Sequence, residues 1–142
     1  MSKNNASIPT ILTNLESTGA GNDLLRYVAL PDLLGEELDL MMYILGKNIG
    51  RKAECQSMEE VVQLFHDSNW GNLIYEKEKR RGFTFLLEGD IIRKRIETID
   101  NVEFRLESGF LAETMSRLHD QSCECRTIIK KDHVELEVLY SK

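Results

Sequence analysis

Residues 106–140, LESGFLAETMSRLHDQSCECRTIIKKDHVELEVLY, hold the two hydrophobic periods on which the fold turns. Leu106, Phe110, Leu111, Met115 and Leu118 recur at helical spacing, a stripe that has to be covered by other apolar surface. The period then falls to two. Val134, Leu136, Val138 and Tyr140 alternate with Glu135 and Glu137 and neighbours, as a strand with one buried face requires. Residues 125–129 supply a partner strand across the turn at 130–133, so this stretch predicts a helix followed by an antiparallel hairpin.

Upstream, Phe83, Phe85 and Leu87 alternate in the same way, and Leu73 and Tyr75 do so before a turn at 79–82. That predicts a second antiparallel hairpin. Gly89 breaks it, and residues 91–99 are compatible with either helix or extended chain. Before the first hairpin the pattern is helical. Ser57 and Glu60 form a capping box ahead of Val61, Val62, Leu64 and Phe65, and Trp70 and Gly71 mark the exit of that helix. Leu38, Met41, Met42, Leu45 and Ile49 lie on one helical face. Gly46 and Gly50 lie four apart beside that face, each costing about 1 kcal/mol of helix propensity relative to Ala. They mark either a helix-packing contact or a weak helix end. Residues 24–29 predict a further helix that stops ahead of Pro31, followed by a turn at 31–35. Ile8, Ile11, Leu12 and Leu15 fit a short amphipathic helix, residues 17–21 read as a linker, and residues 1–6 as a frayed tail. The expected organisation is a flexible segment at 1–21 and one domain at 22–142. Its class is α+β, with helices packed on an antiparallel sheet made of two hairpins.

Composition narrows the function classes. A chain of 142 residues, 42% hydrophobic and 30% charged, can bury a core without disulfides or metal. No apolar run approaches the roughly 20 residues of a membrane helix, and residues 1–10 lack the basic and apolar regions of a signal peptide. Three cysteines, an odd number, suit a reducing compartment, so a cytoplasmic location is expected. A net charge of −6 opposes nucleic-acid binding and adsorption to anionic lipid.

Chemistry-bearing residues are sparse. Cys123 and Cys125, with His119 and His133 on either side, are candidate metal ligands, but they lack the second pair that a tetrahedral zinc site requires. Their i, i+2 spacing in a strand suits two buried thiols. His66 and Asp67 are adjacent on a helix and point about 100° apart, so they do not form a dyad. No phosphate-binding glycine loop or nucleophile elbow is present. Arg80 and Arg81 at a hairpin tip, together with Arg93, are the candidate anion site. No cofactor is expected, and the chain reads as non-catalytic.

Five stretches in register carry a family resemblance: LPDLLG at 30–35, MMYILGK at 41–47, GRK at 50–52, NWG at 69–71 and LESGFLAE at 106–113. The chain resembles the YslB-like family of uncharacterised proteins from low-GC Gram-positive bacteria. It is more distantly similar to four-vinyl-reductase-type small-molecule-binding domains, haem nitric-oxide sensor domains and small TRAPP tethering subunits. The resemblance implies the α+β ligand-binding fold of nitric-oxide signalling and Golgi transport, whose members pair through helices or hold an apolar ligand in the core. Small-molecule-binding relatives carry one cysteine before a glycine-containing turn and one after it. Here Cys123 and Cys125 both precede the turn, and Val134 stands near the second position. No histidine here matches a haem ligand. Cys55 is the candidate counterpart of the acyl-modified cysteine of some tethering subunits.

Three functions follow. The first is a binding module with a small apolar ligand held between helices and sheet, lined by Leu45, Ile49, Phe65, Trp70, Phe85, Phe110 and Met115. The second is a homodimeric interaction protein that pairs through an early helix, with Gly46 and Gly50 as one contact. The third is an enzyme acting on an anionic metabolite at Arg80, Arg81 or Arg93.

Overall fold

The long helix of the deciding stretch, α7 (Arg105–Leu118), is the axle of the fold. The structure is a computed structural model in which residues 7–15 and 19–141 are described. Strand β3 (Cys123–Ile129) and strand β4 (Val134–Tyr140) follow α7 as the expected hairpin. Strand β1 (Asn72–Lys79) and strand β2 (Gly82–Glu88) form the other. The two hairpins join through β2 and β4 into one antiparallel sheet of order β1-β2-β4-β3. Leu73↔Leu87↔Val134 and Phe85↔Leu136 are cross-strand rows on the face that α7 covers, and every one of these side chains is buried. The side chains expected to face inward on β2 and β4 are buried, Tyr140 partly, although Thr84 between Phe83 and Phe85 is buried as well. In β1 only Leu73 is buried: Tyr75 is exposed, and the register shifts between Tyr75 and Lys77, where an irregularity takes up the extra residue.

Residues 90–98 settle as helix α6 (Asp90–Thr98), with Ile92 buried. Helix α5 (Met58–Asp67) starts at Ser57, whose hydroxyl accepts the Glu60 N–H at 3.3 Å. The Glu60 carboxylate in turn accepts from the Gln56 N–H rather than from that of Ser57. Phe65, Trp70 and Phe110 meet edge to face, with ring centroids 5.1–5.8 Å apart. Phe85 and Met115 are also fully buried in this core.

The amino-terminal half departs from the expected boundaries. Helix α1 (Ile8–Leu15) forms as read. Helix α2 (Ala20–Leu24) crosses the boundary expected at residue 21 and runs into a π-helical turn (Leu25–Ala29). Helix α3 (Leu30–Leu34) then carries the chain through Pro31, where a stop had been expected. Proline in the first turn of a new helical segment forfeits no required hydrogen bond, so it starts α3 instead of ending its predecessor. Gly35, with φ of 54°, makes the actual break, followed by a short 3-10 turn (Gly35–Glu37). Helix α4 (Leu38–Ala53) comes next and packs along α7, with Tyr43 and Lys47 reaching β3 at Glu124 and Cys125. The tail at 1–6 and part of the linker at 17–21 lie outside the described residues.

Candidate functional site

The glycine pair in α4 decides which face of that helix looks outward. A Cβ on Gly46 would stand 2.2 Å from the Leu106 carbonyl oxygen, and one on Gly50 would stand 3.0 Å from that of Phe110. Gly109 of α7 answers from the other side, where a Cβ would stand 2.1 Å from the Tyr43 carbonyl. The two helices therefore approach backbone to backbone, and the Gly46–Gly50 stripe is spent on α7 of the same chain. Met42 is buried on that side. The opposite side carries Leu40, Met41, Ile44 and Leu45, each 38–56% exposed. Residues 20–34 add Leu24, Leu25, Val28 and Leu33, each 53–77% exposed.

Beneath residues 20–34 lies a buried ionic cluster. Arg26, Arg95, Glu103 and Glu107 are all more than nine-tenths buried. The Arg26 guanidinium forks onto Glu107, donating from Nη1 at 2.8 Å and from Nη2 at 2.7 Å, while its Nε donates to Glu103 Oε2 at 3.1 Å. Arg95 Nη1 donates to Glu107 at 2.9 Å, and its Nη2 to the Glu103 carbonyl at 3.2 Å. Arg95 Nε has no hydrogen-bond partner among the described residues, and its guanidinium lies 4.2 Å from the centre of the Phe104 ring. The Tyr27 ring stands 5.6 Å from both guanidinium carbons. Burial by itself would raise the Glu107 pKa, but the two arginines outweigh it and hold the carboxyl at about 2. Burial would likewise lower that of Arg26, and the Glu107 and Glu103 carboxylates more than reverse it. With two arginines against two glutamates, the cluster is balanced in formal charge.

No local pattern in the sequence joins these four residues, although one signal of a buried charge is present. Glu107 lies on the stripe of Leu111, Met115 and Leu118 at steps of four, eight and eleven, a charge where an apolar residue is expected. Arg95 stands three residues after the buried Ile92 in the same manner. A charge on a core stripe requires a buried partner of opposite sign.

The residues expected to line one pocket do not converge on one space. Phe65, Trp70, Phe85, Phe110 and Met115 fill the core against one another, Ile49 packs at its margin, and Leu45 faces outward. Two surface clefts, of about 340 and 500 Å³, are lined by other residues. The larger lies among Leu38, Asp39, Phe104, Arg105, Thr127 and Ile129. Nor are the three arginines brought together. Arg80 and Arg81 turn the corner between β1 and β2, whereas Arg93 follows the far end of β2, seven residues and roughly 23 Å of strand away. Arg93 pairs with Asp90.

Cys123, Cys125 and Cys55 are free and buried. Burial raises the pKa of all three thiols. The Cys55 carbonyl accepts from Arg117 at 2.7 Å. His66 is exposed beside Asp67, and His133 bonds Asp132 at 2.8 Å. Among the described residues no group of histidine, cysteine and carboxylate side chains could hold a metal ion, and no helix is long and apolar enough to cross a membrane.

Residues 19–139 match the family described as "Protein of unknown function (DUF2507)". The chain is 37% identical over 139 residues to "Uncharacterized protein YslB" of Bacillus subtilis (strain 168), covering 96% of this chain and 93% of YslB. Among solved structures it is similar to a vinyl-4-reductase family protein from Methanocaldococcus jannaschii, with a TM-score of 0.60 at 15% identity. That match covers 71% of this chain and 68% of the other. The YslB-like resemblance and the fold it implied are borne out.

Proposed function

The chain belongs to the DUF2507 family, and we propose that it is a non-catalytic interaction module that pairs with a second copy through the outward face of α4 and residues 20–34. The observation that carries this reading is the set of eight exposed apolar side chains on those two segments. Burying a whole apolar side chain contributes about 1.5–3 kcal/mol. The four on α4, each about half exposed, yield roughly 6–12 kcal/mol when doubled by a two-fold axis. Association costs about 4–15 kcal/mol in lost freedom, so α4 by itself is marginal. Adding Leu24, Leu25, Val28 and Leu33 roughly doubles the gain and makes pairing favourable.

A small apolar ligand between helices and sheet is the weaker reading, because the rings that would line its pocket are packed on one another. An enzyme acting on an anion through Arg80, Arg81 and Arg93 is weaker still, since the three do not converge. Light scattering at micromolar concentrations tests the pairing. The expected mass is twice the 16.4 kDa of one chain. The double variant Leu40→Glu/Ile44→Glu should halve that mass while the melting transition stays cooperative. A wild-type chain that is monomeric across the micromolar range overturns the reading.

A further inference from the structure

Residues 20–34 are joined to the rest of the chain in an unusual way. Arg26 is the buried side chain among them, while Tyr27, Leu30, Pro31 and Leu34 are half-buried and the others are exposed. Both ends are glycines in the left-handed region, Gly19 with φ of 96° and Gly35 with φ of 54°. The π-helical turn at Leu25–Ala29 bears Arg26, which it presents to the core while Leu24, Leu25 and Val28 stay exposed. The charged groups of the socket come from outside this segment: Glu103 and Glu107 from the entry and first turn of α7 and Arg95 from α6, with Phe104 packed on Arg95.

We propose that residues 20–34 form a strap, latched by the Arg26 guanidinium in its two-carboxylate socket, which lifts as a unit about Gly35 while the body of α4, α7 and sheet stays folded. The fork onto Glu107 is the strongest class of polar contact available to a side chain, and the other inward side chains of residues 20–34, Tyr27, Leu30, Pro31 and Leu34, are only half-buried. When the latch opens, Glu107 keeps its bond from Arg95, and Glu103 keeps the Arg105 N–H at 2.7 Å, so neither carboxylate is stranded. The strap therefore has a low-lying open state, as loosely attached helical units do. Its consequence for pairing rests on the interaction surface proposed above, because four of the eight apolar residues ride on the strap. The latch itself does not rest on that reading.

Hydrogen exchange on the full chain, read by mass spectrometry, tests the proposal. In the wild type, amides of residues 20–34 should exchange faster than those of β2 and of the second half of α7. In Arg26→Ala they should exchange on the order of tenfold faster again, with β2 and α7 unchanged. Guanidinium ion, at a concentration that leaves wild-type exchange unaltered, should restore part of the lost protection by refilling the socket. Arg26→Lys keeps the charge without the fork and should accelerate the strap alone by a smaller factor. Strap and body exchanging together in the wild type would overturn the proposal, as would strap exchange indifferent to both substitutions. Should Arg26→Ala expose the whole chain, Arg26→Lys decides: acceleration confined to the strap supports the latch, and any other result overturns it. Light scattering on the same samples separates the two ideas. A monomeric wild type removes the pairing surface but leaves the exchange result readable.

Discussion

Glu107→Gln removes the carboxylate to which both buried arginines donate. In the folded chain Glu107 accepts three charge-assisted hydrogen bonds, two from Arg26 and one from Arg95. Glutamine fills the same volume but carries no charge, which leaves two buried guanidinium groups facing the single carboxylate of Glu103. Breaking a buried pair by removing one partner costs about 3–5 kcal/mol, a large share of the roughly 5–15 kcal/mol that holds a domain folded. With a urea slope of about 2 kcal/mol per molar, the midpoint should fall by roughly 1.5–2.5 M. Trp70, buried against Phe65 and Phe110, is the natural fluorescence probe. The pH dependence gives an independent check. The folded carboxyl titrates at about 2, below its ordinary 4.5. Its ionisation therefore stabilises the fold above about pH 4.5, and that stabilisation, at most about 3 kcal/mol, is lost as the pH falls through 2. The glutamine variant should lack this part of the acid slope. A midpoint shift below about 0.5 M, or identical acid slopes in the two proteins, would refute the assignment of Glu107 as the centre of the cluster.

Gly46→Ala should cost about 3 kcal/mol or more, because the new Cβ meets the Leu106 carbonyl and the Phe110 amide, both backbone atoms that cannot rotate aside. Calorimetry should show a drop of roughly 6–12 °C. Gly21→Ala, where nothing lies within 4 Å of the added carbon, is the control and should be neutral or slightly stabilising. A Gly46→Ala protein that melts like the control would remove the close approach of α4 and α7. Cys55, Cys123 and Cys125 are buried with raised thiol pKa values, so a thiol reagent at pH 8 should label them only as fast as the chain opens. Labelling of any of the three at the rate of a free thiol would contradict that placement.

Local order was legible in the chain itself. The period of Phe110, Leu111 and Met115 required a helix with one covered face, and the alternation of Val134, Leu136 and Val138 required a strand. The Ser57 cap and the turn at Arg80 and Arg81 followed from residue chemistry within four positions. These features depend on neighbours in sequence, so one chain suffices to specify them. Pro31 shows the margin: proline both ends helices and starts them, and the choice was made by the π-helical turn ahead of it.

What the tertiary structure alone decided depends on residues far apart. Arg26 and Glu107 are 81 positions apart, and no periodicity relates them. A charge on an apolar stripe announces that a partner exists without naming it, because burial cost fixes the sign of the partner and not its address. The glycines of α4 announced a close approach in the same incomplete way, and only packing against Gly109 assigned them to an internal contact. That assignment turned Leu40, Met41, Ile44 and Leu45 outward, and with them the face on which the proposed pairing depends.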